Sequence, residues 1–353
     1  MRIFIGSDMD ESERWGWVKG QNPNYDYYEL DKDLIYRIKP NVTLGTEYWS
    51  DEYGFRYNPS HVGGSQEQHN KQIIILGDSF VYGHGTKHNE TYPYLLEENL
   101  RRNGVDVWVD NAGVPGYGSD QQYVYAKKLL NKYSPNLLIW NFNVNDVGDS
   151  NEACLFKEIG NRMIKISAQA NTLYIRKKYI RPAISVFPFS TTLKYLYYSL
   201  PERYTLFCSK PKILIEQYEN KYKFFLKDLN KEVKNVGGRL VVVLLINEYH
   251  FGLDAGNREW KYAVKYYEEM RLAIKDWTRE LEIGVYDLND LLLVNISSDS
   301  AKILGVDDSG KSALFLDEID RGFSMGSSHP NIIGNENSAI VLTDIIKDFL
   351  VDQ

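Results

Sequence analysis

Cysteine is almost missing from this chain. Only Cys154 and Cys208 occur in 353 residues, in no metal-ligand spacing and too few for a disulfide framework. The expectation is two free thiols. Long apolar runs are missing too: the longest strongly apolar stretch, Leu240 to Ile246, is far too short to span a bilayer. The opening run Met1 to Gly6 meets Asp8, Asp10 and Glu11 at once, unlike a secretory leader. These features point to a soluble chain acting in the cytoplasm. There is no basic excess either. The net charge of −7 repels phosphate backbones and argues against nucleic acid as a partner. Internal repeats and low-complexity tracts are absent.

What is present is enough apolar residue, 43%, for a sizeable core, and a charged fraction of 25%, ordinary for a soluble surface. Residues 1–70 are rich in Tyr, Asn, Asp and Gly with weak periodicity, and read as an extension of loops and short strands. From residue 71 strands and helices alternate. Ile73-Ile74-Ile75-Leu76 stops at Gly77 and reads as a buried strand. Further strands are expected at Val105–Val109, Leu137–Trp140, Arg239–Ile246 and Gly284–Leu288. Helices are expected at Pro93–Arg102, from Ser119 with a Ser-x-x-Gln capping box, at Trp260–Leu281 and at Ser338–Leu350. Such alternation predicts an α/β fold: a three-layer α/β/α sandwich on a five-stranded parallel sheet. The domain at 71–353 then carries a mostly helical insertion at about 148–235, rich in Lys, Tyr and Phe.

In open α/β sheets ligands bind beyond the carboxyl ends of the strands. Three expected strands end in polar residues: Gly77-Asp78-Ser79-Phe80, Asn111-Ala112-Gly113-Val114-Pro115-Gly116 and Asn143-Val144-Asn145-Asp146. Ser328-His329-Pro330-Asn331 precedes the last helix. Each alone suits a cap or a turn. Together they suit nucleophilic catalysis, in which a serine hydroxyl needs a positioned base and the resulting oxyanion needs aimed donors.

These blocks resemble the SGNH/GDSL hydrolase superfamily over about residues 70–350. Gly77-Asp78-Ser79-Phe80 matches the first motif, with Phe80 where Leu is usual. Gly116 matches the glycine of the second, Asn145-Asp146 the third with Asn143 in place of a Gly, and His329 the last. The segment Asp51-Glu52-Tyr53-Gly54-Phe55-Arg56 is loosely similar to one that precedes the core in bacterial members linked to surface polysaccharide. The resemblance implies Ser79 as nucleophile, His329 as its base, and an oxyanion hole formed by the N–H of Ser79, the N–H of Gly116 and the Asn145 amide. It implies an esterase that deacylates a carbohydrate or small molecule. An O-acyltransferase using the same Ser-His site, or a binding module that has lost its catalytic acid, are the alternatives.

The third alternative arises from a departure. The family places an Asp three residues before the histidine, and here that position is Gly326. A carboxylate upstream is expected to replace it, with Asp320 first and Asp317 or Glu318 behind. No cofactor is implied. His84 and His88 stand four apart, but Gly83 and Gly85 place them in a loop rather than on a zinc-binding helix face. Gly-x-Ser-x-Gly and P-loop spacings are both missing.

Overall fold

The structure is a computed structural model. It describes residues 27–44, 48–143, 145–160, 162–186, 190–192, 215–246, 258–295 and 329–351. The N-terminal extension holds two small antiparallel pairs. β1 (Tyr28–Asp31) runs against β2 (Ile35–Ile38), and β3 (Thr43–Leu44) against β4 (Tyr48–Trp49). The main sheet follows, with β5 (Lys71–Gly77), β6 (Val107–Gly113), β7 (Leu137–Phe142), β10 (Arg239–Leu244) and β11 (Gly284–Asp287). Between β7 and β10 lies an exposed antiparallel pair, β8 (Phe156–Ile159) and β9 (Arg162–Lys165).

The sheet has five strands in the order β11-β10-β7-β5-β6, and every pairing is parallel. The chain therefore leaves β5 toward one edge to form β6, then returns to the other side of β5 to form β7. That reversal makes a topological switch point at the carboxyl ends of β5 and β7.

Strand side chains alternate between two faces. Ile74, Leu76, Leu138, Trp140 and Val242 join one cluster with α3 (Ser119–Leu130), α5 (Ile215–Asn235) and α6 (Arg258–Glu280). Ile73, Ile75, Ile139, Val241 and Val243 join the other with α2 (Tyr92–Arg102), α7 (Leu288–Asn295) and α8 (Ile332–Val351). The strands are buried on both sides, which is why they read as unbroken apolar runs. The sandwich expected from the sequence is the fold observed.

The extension shares this core. Tyr27, Leu34, Ile38, Tyr48 and Phe55 belong to the first cluster. The Arg56 N–H donates to the Asn111 carbonyl at 3.1 Å, so this segment lies along edge strand β6 and shields it from pairing with another chain.

Two expectations need correction. Ser119 is no N-cap: Gly118 takes that position, and the Ser119 hydroxyl bonds Tyr218 instead. The tertiary partner outcompetes the local box because the site is fully buried. Last, Cys154 is not a free thiol but half of a disulfide. The sequence holds one other cysteine, Cys208, outside the described residues. Two cysteines so far apart in sequence give no spacing from which pairing could be read.

Candidate active site

Ser79 opens α1 (Ser79–Tyr82), directly beyond β5. Asp78 caps this short helix, its Oδ1 accepting the Phe80 N–H at 2.9 Å. The tight passage from strand to helix requires Gly77, where a Cβ would sit 2.2 Å from Val81 Cγ2. Across 250 positions of sequence, His329 Nε2 lies 2.8 Å from Ser79 Oγ. His329 is set just before α8, whose first turn is capped by Asn331: its Oδ1 accepts the Gly334 N–H at 3.0 Å.

Burial first, and then the neighbouring charge of His84, hold the His329 imidazole down at about 3, well below the usual histidine range. The ring is therefore neutral at pH 7. With hydrogen on Nδ1, its Nε2 lone pair faces the serine hydroxyl and can take its proton. Two rings fix its plane. Phe80 stacks on it with centroids 4.6 Å apart at 28°, and His84 meets it edge-on at 5.2 Å and 60°. The sequence reading noted both residues but assigned neither this contact. The exchange of Phe for the usual Leu is the sequence signal that could have marked the first.

Asn145 begins α4 (Asn145–Ala153) at the end of β7, on the other side of the switch point. Its amide Nδ2 donates to Asp78 Oδ2 at 2.7 Å and to Asp149 Oδ2 at 3.2 Å. Burial pushes the Asp78 carboxyl up to about 6. Asp146, beside it, is driven up by burial and then by the charge of Asp78. Asp146 braces the loop: Oδ1 accepts from Gln122 Nε2 at 2.7 Å and Oδ2 from the Asn143 N–H at 2.8 Å. Gln122 Oε1 accepts from Trp140 Nε1 at 2.6 Å, so β7, α3 and α4 are tied together beneath Asn145.

Gly116 stands at the third position of a turn closed by Tyr117 N–H to Val114 O at 3.1 Å, with Pro115 before it and φ of +76°. This is the geometry of a type II turn, which requires a residue tolerant of positive φ there and leaves that residue's N–H outside the turn bond. The loop is anchored by Val114 N–H to Gly77 O at 3.1 Å and by Tyr36 Oη to Pro115 O at 2.8 Å. The extension thus reaches the site through β2.

It reaches it a second time through Arg56, a residue sequence reasoning missed. Arg56 is only 2% exposed. Its guanidinium donates to Gly83 O at 3.1 Å and Thr86 O at 2.7 Å, and lies 4.2 Å from the centre of the Tyr82 ring. Those carbonyls flank His84. Asp317, Glu318 and Asp320 lie outside the described residues. Among the described residues no three His, Cys, Asp or Glu converge as a metal would need, and no helix is long and apolar enough to cross a membrane.

A family model described as "GDSL-like Lipase/Acylhydrolase family" matches residues 75–335. An arylesterase of Vibrio mimicus is 28% identical over 79 residues, a match spanning 22% of this chain and 40% of that protein. Among solved structures, the acetyl xylan esterase AlAXEase overlays on 78% of this chain and 99% of its own at 13% identity and a TM-score of 0.44. Esterase EstA from Pseudoalteromonas sp. overlays on 80% of this chain and 99% of its own at 12% identity and a TM-score of 0.40. With TM-scores this low, neither overlay bears on the substrate.

Proposed function

We propose that this chain, which belongs to the GDSL-like lipase/acylhydrolase family and so to the ester hydrolases, cleaves its ester through an acyl intermediate on Ser79. The observation that carries this is the 2.8 Å contact between His329 Nε2 and Ser79 Oγ at the switch point of the sheet. His329 takes the Ser79 proton as Oγ attacks the ester carbonyl carbon. The carbonyl electrons move onto oxygen. The N–H groups of Ser79 and Gly116 and the Asn145 amide receive that charge, each lost donor costing ~2.7–4 kcal/mol of transition-state stabilisation. When the intermediate collapses, the C–O bond to the alcohol breaks and His329 returns its proton to the departing oxygen. Water, deprotonated by His329, then attacks the acyl carbon; the bond to Ser79 Oγ breaks, His329 returns the proton to that oxygen, and the free acid leaves.

Asn145 enters this scheme by turning an N–H away from a carboxylate. Both Asp78 and Asp149 accept from it. An acid is proposed to hold the His329 Nδ1–H, with Asp320 first and Asp317 or Glu318 behind. The substrate class we propose is a small-molecule or carbohydrate ester, acetyl esters first.

The test is a panel of p-nitrophenyl and acetylated-sugar esters, with and without a sugar acceptor. The reading expects release of free acid by the wild type, and loss of about 10³-fold or more in kcat for Ser79→Ala and His329→Ala. Hydrolysis undiminished in either variant would overturn it. Acyl groups recovered mainly on the acceptor would replace hydrolysis by transfer.

A further inference from the structure

A cavity lies away from Ser79, between the N-terminal extension and the start of the sheet. It has a volume of about 420 Å³. Gln72, the second residue of β5, and its neighbour Trp108 on β6 form its floor. From Gln72 to the end of β5 is five residues, or ~16 Å of strand, so this cavity is separate from the ester site.

We propose that it binds a small organic cation of the alkylammonium class. Four carboxylates line it, Asp51, Glu52, Glu67 and Asp110, and no Lys or Arg does. Its one basic side chain, His61, is already engaged, with Nε2 2.8 Å from Glu97 Oε2. Four carboxylates disfavour an anionic ligand. Asp51 and Asp110 are held by neutral donors: Asp51 by the N–H groups of Tyr53 and Phe55, Asp110 by Trp108 Nε1 and Gln72 Nε2. Burial pushes both carboxyls up to about 6, and for Asp110 the neighbouring His61 offsets only part of that rise.

Charge alone would also suit a metal ion, but these carboxylates do not converge on a point. The walls favour an organic cation. Tyr53, Tyr57, Tyr133, Trp49 and Trp108 all line the space, and aromatic faces attract ammonium groups through the ring quadrupole. The protein already places one ammonium on these rings: Lys132 Nζ lies 3.9 Å from the centre of Tyr53 and 4.9 Å from that of Tyr133. The Tyr133 hydroxyl oxygen is itself buried and has no hydrogen-bond partner. The nearby charges of Asp110 and Asp51 add to burial in raising its pKa. A ligand hydroxyl, such as choline carries, would give that oxygen the donor it lacks.

The experiment is calorimetric titration of the full chain with choline, with its uncharged isostere 3,3-dimethyl-1-butanol and with methyl β-glucoside. Expected is saturable one-site binding of choline, with the isostere weaker by roughly tenfold or more, as a cation–π and charge contribution implies. Tyr53→Ala and Glu67→Gln, both at exposed positions, should each weaken choline several-fold without changing the melting temperature. Ser79→Ala should bind choline as the wild type does, which separates this site from the ester site. No saturable choline binding, equal binding of the isostere or the glucoside, or indifference to both variants would overturn the proposal.

Discussion

Phe80 stands where the family's first motif usually carries leucine, and its ring lies flat against His329. An imidazole that must accept and return a proton gains from a neighbour that fixes its plane and tolerates its charge. Such ring pairs contribute ~0.5–1.5 kcal/mol beyond their buried area. Phe80→Leu is therefore expected to lower kcat/KM by roughly three- to tenfold. Phe80→Tyr should restore most of that loss, and KM should move less than kcat. Equal kinetics for Phe80→Leu and wild type would reduce Phe80 to core filling. At this scale the sequence was legible where chemistry leaves a pattern. Strand ends and motif spacing single out Ser79, Asn145 and His329 as candidates, and the fold brings Ser79 and His329 into contact. Arg56 and His84 were not assigned their contacts, because an arginine's buried partners are backbone carbonyls that no sequence pattern announces.

The strands themselves were found, but β6 was expected to end at Val109 and runs to Gly113. Asp110 and Asn111 look like a turn in the sequence. In the fold their polar groups are satisfied: Asp110 by Trp108 and Gln72, and Asn111 by donating to Val81 O at 3.0 Å. Satisfied polar groups can occupy a buried strand, and nothing local reveals the partners. The β8–β9 pair was missed for a related reason. Six of its eight residues are exposed and four are charged, so no alternation of apolar side chains marks it. The element with most bearing on the site is the loop 83–86, held by Arg56. Arg56→Met would leave the Gly83 and Thr86 carbonyls without their charged donor. The expected cost is about 3 kcal/mol in urea unfolding, with a fall in kcat as His84 loses its place beside His329. A variant within ~0.5 kcal/mol of wild type and with unchanged kcat would show that the loop holds itself.

At the scale of the whole molecule, burial raises the pKa of several carboxyls, and each such group contributes a pH dependence of stability opposite to that of an ion-paired carboxylate. The Asp110 carboxyl rises from 3.8 to about 6 through burial. The folded state therefore keeps a proton that the unfolded chain has already released. Its stabilising contribution is complete below pH ~4 and is lost as pH rises through ~6. Asp51 behaves alike. His329 acts in the opposite sense, because its neutral form is favoured in the fold from about 3 upward. The single-site comparison isolates the effect. Relative to wild type, Asp110→Asn should gain on the order of 3 kcal/mol between pH 4 and pH 7, from about two pKa units at ~1.4 kcal/mol each. Urea melts at both pH values measure this, and a constant difference would mean that Asp110 is ionised in the fold throughout.

The whole sandwich, with its two hydrophobic clusters and its switch point, serves to bring a serine from the end of β5 against a histidine near the end of the chain. Intact-mass spectrometry after treatment with a fluorophosphonate tests that claim most directly. The account predicts one added phosphonyl group on the wild type, mapped to Ser79 by peptide fragmentation. It predicts none on Ser79→Ala, and labelling slowed by orders of magnitude in His329→Ala. A phosphonyl group on another residue, or full-rate labelling of Ser79→Ala, would contradict it.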